Sequence, residues 1–78
     1  MLQEMGMKVN ALIERTENGY YSIACDRKIG NFCLGGFGDS VKDAKADFDS
    51  IVKEAQDNYI KEYGNLPDEL KQVTVEYR

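Results

Sequence analysis

The chain has 78 residues and a formal net charge of −4, with ten basic side chains, fourteen acidic ones and no histidine. Its length accommodates a single small domain, and a hydrophobic fraction of 42% is typical of folded globular proteins. The negative charge argues against direct nucleic-acid binding, which needs a basic face, and suits a basic partner.

No apolar run approaches the ~20 residues that span a bilayer, so no membrane association is expected. The first ten residues, MLQEMGMKVN, lack the basic start and apolar centre of a signal peptide. We therefore expect a cytoplasmic protein in a reducing compartment. Two cysteines, Cys25 and Cys33, are too few for a structural zinc site, and no metal or cofactor is expected.

Residues 1–6 are expected to form a loose extension, and residues 7–78 a single domain. From Lys8 to Glu14 the side chains alternate between apolar and polar, which predicts a half-buried strand whose polar side is interrupted by Leu12. The Asn18-Gly19 pair then predicts a hairpin.

The second strand is predicted from Tyr20 to Cys25, and a third from Phe32 to about Phe37. Between them, residues 26–31 are expected to form a polar loop. Short connections of this kind predict an antiparallel three-stranded meander.

A long helix is predicted from Val41 to Tyr63, with Gly64 as a left-handed terminator and Pro67 preventing its continuation. A final strand is predicted from Gln72 to Tyr77, so the fold class is α+β with the order βββαβ. The apolar stripe of the helix recurs at spacings of three and four residues: Val41, Ala44, Phe48, Ile51, Val52, Ala55, Tyr59 and Tyr63.

Such a helix is ~34 Å long, whereas a strand of six or seven residues spans only ~20–23 Å. We therefore expect the helix to extend beyond its sheet around Tyr59, Ile60 and Tyr63. Two interpretations remain open. Either Leu66, Leu70 and Tyr77 fold back over these residues, or they form an interaction surface.

The glycine-rich stretch before the helix fits neither a Walker-type loop nor a dinucleotide fingerprint. Asp39 and Asp43 also place negative charge where a phosphate would bind. The favoured interpretation is structural: Ser40 caps the helix together with Asp43, and the glycines mark a bulge or the close approach of another backbone.

Asp39, Asp43 and Asp47 follow one another at four-residue spacing, which allows a divalent-cation site. A solvated helix face with Lys42 and Lys45 as partners is the favoured alternative. Without histidine, and with both cysteines in predicted strands, no catalytic group is expected.

Three motifs resemble the N-terminal domain of HicB-type antitoxins. Lys8–Glu14 resembles the family's opening "KVxxxIE" strand, and Asn18–Ser22 resembles its "(D/N)GxYS" hairpin. Gly36–Ala44 resembles "GxG(D/K)(S/T)xxEA", with Asp43 in the place of the more common glutamate. The expected loop between the second and third strands departs from the family's Asp-x-Pro-Gly pattern, since it is longer and has no proline.

The resemblance implies a degenerate ribonuclease-H-like fold that has lost its catalytic acids. It further implies binding and neutralisation of HicA, a small basic mRNA-cleaving toxin with a double-stranded-RNA-binding-domain-like fold. Family members commonly continue into a DNA-binding domain. No such domain is expected in residues 1–78, so operator binding is not carried over.

If the chain binds such a toxin, the expected contacts are Asp26, Asp39 and Asp43 as acidic partners and Ile29 or Phe32 as an apolar anchor. Core packing remains the alternative for Phe32. Two other functions stay open. One is a scaffold, sensor or dimerisation domain, with homo-oligomers formed by edge-strand pairing; the other is a small ribonuclease-H-like enzyme with acids converging from the first strand and the helix.

Overall fold

The computed structural model describes residues 6–78 and confirms the predicted α+β class and the βββαβ order. The expected loose extension lies outside the described residues, except for Gly6. A one-turn helix before the last strand was not predicted. The elements are β1 (Met7–Arg15), β2 (Tyr21–Ile29), β3 (Phe32–Gly38), α1 (Val41–Tyr63), α2 (Asp68–Lys71) and β4 (Val73–Tyr77).

The strands form one mixed sheet in the order β3-β2-β1-β4. The β1–β2 and β2–β3 pairs are antiparallel, which confirms the meander, whereas β4 runs parallel to β1. Parallel neighbours need a long crossover connection, and α1 with α2 supplies it. As a result β1 is central in the sheet, while β3 and β4 are its two edges.

The β1–β2 connection is a tight hairpin that depends on one glycine. Thr16 N–H donates to Tyr20 O over 2.7 Å, and Gly19 N–H donates to Thr16 O over 3.0 Å. Gly19 has a φ of 87°, the left-handed conformation that ends a three-residue hairpin loop. The Asn18-Gly19 signal therefore correctly predicted the turn.

The core lies between α1 and one face of the sheet. The apolar side of β1 faces α1 as predicted, and Leu12 on the opposite side is 48% exposed. We call this opposite side, which includes Lys8, Asn10, Leu12 and Glu14 of β1, the open face. The buried core residues are Val9, Ala11, Ile23, Ile29, Leu34, Ala44, Phe48, Val52, Ala55 and Leu70.

The helix backbone lies directly on β3 at two glycines. A Cβ added to Gly36 would lie 2.6 Å from Ala44 O and 2.9 Å from Phe48 N. A Cβ added to Gly38 would lie 2.6 Å from Ala44 N and 2.7 Å from Asp43 Cβ. These two glycines therefore mark the close approach of a helix, one of the two structural roles expected for them.

Both ends of α1 lie where the sequence predicted them. Ser40 Oγ accepts the Asp43 N–H over 3.1 Å, and Gly64, with a φ of 89°, donates its N–H to Ile60 O over 2.8 Å. The predicted apolar stripe is buried in the middle of the helix, while Val41 and Tyr63 at its ends are exposed. Within residues 6–78, no helix is both long enough and apolar enough to cross a membrane.

The predicted polar loop at residues 26–31 is wrong, because β2 continues to Ile29 and pairs there with Phe32. Only Gly30 and Asn31 form the turn, and Gly30 has a φ of 61°, as the first residue of a type II′ turn requires. A β-bulge between Ala24 and Lys28 explains why the sequence predicted a loop here, since the bulge places extra polar residues within the strand.

The bulge also explains why Ile29 is not the apolar anchor for a partner that the sequence suggested. From Ala24 to Lys28, β2 advances four residues while β3 advances two, so the alternation of faces is unchanged. Ile29 therefore stays on the same face as Ile23 and is only 1% exposed. It belongs to the core rather than to a contact surface.

The longer hairpin changes what covers the end of α1. A nine-residue strand spans ~30 Å, and the turn reaches the helix, since a Cβ at Gly30 would lie 3.2 Å from the ring of Tyr59. Tyr77 instead packs edge-on against Phe48, with ring centroids 6.2 Å apart. The expected cover by Tyr77 is therefore wrong, and Tyr63 remains 54% exposed.

Replacement of Gly36 tests the helix–strand contact. Because its Cβ would meet helix backbone atoms that cannot move separately, Gly36→Ala is expected to lower the free energy of unfolding by about 1–3 kcal/mol. Gly35→Ala is the matched control, since its Cβ would meet only Ile23 O, at 3.3 Å. Urea unfolding of both variants measures the difference. Equal stability of the two would show that α1 does not depend on this contact.

Candidate functional site

The five residues expected to contact a partner do not form one surface. Ile29 is in the core, and Phe32 is half-buried and packed against the core, as its alternative role predicted. Asp26, Asp39 and Asp43 are exposed. Ile29 is therefore removed from the candidate contacts, and Phe32 contributes only its exposed part.

The three exposed acids are also separated from each other along the sheet. Asp39 and Asp43 flank the start of α1, beside the end of the sheet where Gly38 pairs with Tyr21. Asp26 lies five residues further along β2, which corresponds to ~16 Å of strand. Two distinct acidic regions result, and a compact partner contact would use one of them.

Asp26 belongs to a polar network on the open face. Its Oδ1 accepts the backbone N–H of Asn10 over 3.1 Å, and its Oδ2 accepts the side-chain amide of Asn10 over 3.2 Å. The Arg78 guanidinium donates in turn to Asn10 Oδ1 over 3.3 Å. The network thus crosses from β2 through β1 to the residue that follows β4.

The bulge in β2 explains why a side chain takes this position. The β1–β2 ladder ends at the pair formed by Ala11 and Cys25, so β2 offers no backbone partner to the next N–H of β1, that of Asn10. The Asp26 carboxylate accepts this hydrogen and continues the pairing. These hydrogen bonds from Asn10, the side-chain one foremost, hold the pKa of Asp26 below its ordinary value of 3.8.

The start of α1 offers no phosphate cradle. The helix fills the space over Gly36 and Gly38, and the Asp43 N–H already donates to Ser40 Oγ. Helix N-termini bind anions through free N–H groups and a positive dipole. Here one such group is occupied, and the carboxylates of Asp39 and Asp43 add negative charge, so this end of the helix disfavours an anion.

Most charged side chains of α1 are separated by sign around the helix axis, with Lys61 on the acidic side and Asp49 on the basic side as exceptions. Asp47 faces β3, because its Oδ2 accepts the Phe37 N–H over 3.0 Å. At 100° per residue, Asp43 and Glu54 lie within roughly 40° of Asp47 around the axis. Lys45 lies on the other side, with its Nζ 4.5 Å from the ring centroid of Tyr77 in β4.

The expected lysine partners of the helical acids are therefore absent. Lys45 contacts Tyr77, and Lys42 and Lys53 lie within roughly 80° of Lys45 on the same β4 side. The ion pairs found within residues 6–78 involve Lys8, Lys71 and Arg78 as cations, none of which belongs to α1. None of the acids beside β3 thus forms an ion pair with a lysine of α1, although Lys61 lines a shallow pocket together with Glu54.

A shallow depression of about 450 Å³ runs between Asp47 and Ile51 of α1 and the edge of the sheet. Phe37 at one end is 53% exposed, and its ring centroid lies 5.4 Å from that of Tyr20. We call this depression the β3-edge groove. It is bounded by Phe32, Cys33, Gly35 and Phe37 of β3 together with Asp47 and Ile51 of α1.

The contact hypothesis from the sequence missed Phe37, Asp47 and Glu54. A helical wheel of α1 shows the separation of charge. The wheel does not show which side of the helix faces β3, because that orientation is set by the contact of α1 with Gly36 and Gly38. The uncharged composition of residues 32–38 was a second available signal for an open edge.

The described residues contain no group of three or more cysteine, aspartate or glutamate side chains arranged to hold a metal ion. The Cys25 thiol donates to Arg27 O over 3.0 Å and contacts Leu34 O at 3.6 Å, so it is a packed structural group. Cys33 is exposed on β3.

Comparisons with protein-family models, with curated proteins and with solved structures found no significant match to this chain.

Removal of the Asn10 side chain is expected to raise the pKa of Asp26 towards 3.8 without reaching it, because the backbone hydrogen bond remains. Since the native pKa is the lower one, Asp26 stabilises the fold above its unfolded-state pKa, and this contribution is lost as the pH falls through the native pKa. NMR titration of the Asp26 carboxyl carbon in Asn10→Ala measures the change. Asn58→Ala serves as the control, and an unchanged midpoint in Asn10→Ala would contradict the assigned hydrogen bond.

Proposed function

We propose that this chain is a HicB-like antitoxin module that binds and neutralises a small basic HicA-type mRNA interferase, without a reaction of its own. The observation that carries the proposal is the gathering of Asp43, Asp47 and Glu54 on the side of α1 next to β3, opposite Lys42, Lys45 and Lys53. This separation concentrates negative charge beside an apolar groove. Complementary charge speeds the encounter with a basic partner and selects against acidic ones.

The positions of the three family-like motifs support the same proposal. Lys8–Glu14 lies within β1, and Asn18–Ser22 spans the β1–β2 turn and the first residues of β2. Gly36–Ala44 joins β3 to α1 and contains both the glycine contacts and the Ser40 cap. Each motif thus corresponds to a structural device of the fold, and their order is that of the resembled domain.

The ribonuclease-H-like alternative requires acids from the first strand and the helix to meet. Glu14 is the one acid of β1, and it lies on the open face, whereas α1 packs on the opposite face of the sheet. The two sources of carboxylate are thus on different sides of the sheet. This placement favours a binding role over hydrolysis.

A dimerisation module remains the second candidate, because β3 is an uncharged edge strand. Its seven residues, FCLGGFG, contain no lysine, glutamate or proline of the kind that discourages strand pairing. A stable homodimer in solution that has no affinity for any basic partner would favour this function.

Binding to a small basic protein encoded next to this chain tests the proposal. Calorimetry with the purified pair is expected to give a Kd below about 1 µM, equivalent to about −8 kcal/mol. The association rate is expected to fall severalfold as salt rises from about 50 to 300 mM, because exposed charges are screened. An equimolar amount of the chain should stop RNA cleavage by the neighbour.

An unrelated basic protein of similar size is the control for non-specific charge attraction. It should bind at least about a hundredfold more weakly, a difference of about 2.7 kcal/mol. Equal affinity for both proteins, or tight binding that leaves RNA cleavage unchanged, would refute neutralisation of a toxin.

A further inference from the structure

The outer edge of β3 has backbone groups that face away from the sheet. Phe37 N–H points outwards, since it donates to Asp47 rather than to β2. Backbone groups of a strand alternate in direction, so the N–H and C=O of Gly35 and Cys33 also point outwards. Within residues 6–78, no strand pairs with this side of β3.

The two edges of the sheet differ in their protection against strand pairing. The β4 edge is five residues long and carries Glu76, which pairs with Lys8 at 3.0 Å and contacts Arg78 at 3.8 Å. Short length and charge are the usual protections of an edge. The seven uncharged residues of β3 have neither, and the Asp47 carboxylate occupies one outward N–H only.

The chemistry beside the β3 edge identifies the occupant. Neither Asp47 nor Glu54 has a lysine at three or four residues before or after it in the sequence, where helical ion pairs form. Asp49, in contrast, lies four residues from both Lys45 and Lys53. Asp49 therefore has lysine neighbours on the β4 side of α1, whereas Asp47 has none beside the β3-edge groove. Lys61, seven residues after Glu54, is the one lysine of α1 on the acidic side, so negative charge predominates there.

This charge disfavours a second copy of the chain as the occupant. Pairing of β3 with its own copy would bring the Asp47 and Glu54 carboxylates of two helices towards the same seam, where like charges repel. An extended segment with basic side chains on one face would instead place them beside these acids. The two acids are ~10 Å apart along the helix axis, between the ~7 and ~13 Å that separate side chains two and four residues apart on a strand.

We propose that the β3 edge takes up an extended basic segment of the partner as an added fifth strand. Its backbone pairs with the outward groups of Cys33 and Gly35, and its lysine or arginine side chains lie beside Asp47 and Glu54. Strand addition of this kind derives affinity from main-chain hydrogen bonds and specificity from alternate side chains. The inference rests on the proposed function and names the surface and binding mode that would serve it.

A synthetic peptide tests this surface without the toxin. The probe is a capped heptapeptide, TKVKVKT, whose three lysines share one face, and its control is TEVEVET. Titration of the full 15N-labelled chain with TKVKVKT is expected to shift the Cys33 and Gly35 amides, slow their hydrogen exchange and give a Kd of about 0.1–1 mM. TEVEVET should bind at least tenfold more weakly, because its charges meet carboxylates.

Charge-neutral variants locate the basic contacts. The double variant Asp47→Asn/Glu54→Gln retains an acceptor for the Phe37 N–H. It is expected to weaken TKVKVKT binding about fivefold, because two exposed ion pairs with the peptide lysines are lost. Asp49→Asn/Glu69→Gln is the matched control, with the same change of charge away from the β3 edge, and should change the Kd less than twofold. NMR spectra of both variants verify that they are folded.

The possible results separate this inference from the proposed function. Peptide shifts confined to the open face or β4, equal binding of both peptides, or equal losses in both variants would overturn strand addition, even if a toxin binds elsewhere. Concentration-dependent shifts of the β3 amides without peptide would assign the edge to a second copy instead. If the peptide binds at β3 but the chain has no affinity for the basic neighbouring protein, strand addition at the β3 edge is supported and toxin neutralisation is refuted.

Discussion

The contact between α1 and two glycines of β3 determines most of the molecule's other properties. Because Gly36 and Gly38 have no side chains, the helix backbone lies directly on the strand. This contact places α1 beside the β3 edge and fixes its rotation about its own axis. With that rotation, the Asp47 side reaches an outward backbone group of β3, and the Lys45 side turns towards β4. The electrostatic character of both edges thus follows from a steric requirement.

The bulge in β2 has a comparable influence on the other half of the sheet. By adding residues to one strand only, it lengthens the hairpin until Gly30 reaches Tyr59 near the end of α1. The same irregularity ends the ladder with β1 and leaves the Asn10 N–H to be satisfied by Asp26. One change of register therefore extends the core and creates the polar network of the open face.

The parts of the fold that were predicted correctly are those that local chemistry determines. Ser40 and Gly64 define the ends of α1 through hydrogen bonds within a few residues, and Gly19 does the same for the first hairpin. The end of β2 was predicted wrongly, because a polar run inside a bulged strand has the composition of a loop. Ile29 was assigned to the surface for the same reason, since its burial depends on pairing with Phe32 across the turn.

The candidate site shows the same division between local and tertiary information. The net charge of −4 favours a basic partner but gives no location. The acids chosen from the sequence were those next to a predicted loop, Asp26, or next to the helix start, Asp39 and Asp43. Both carboxylate oxygens of Asp26 accept hydrogen bonds from Asn10, so this carboxylate already stabilises the pairing of β1 and β2. Asp47 accepts the Phe37 N–H through one oxygen and has no lysine three or four residues away on α1. Asp47 thus combines an unpaired negative charge with a neighbouring apolar groove and unpaired backbone groups. These features make it a better contact for a basic segment than an acid that is merely exposed.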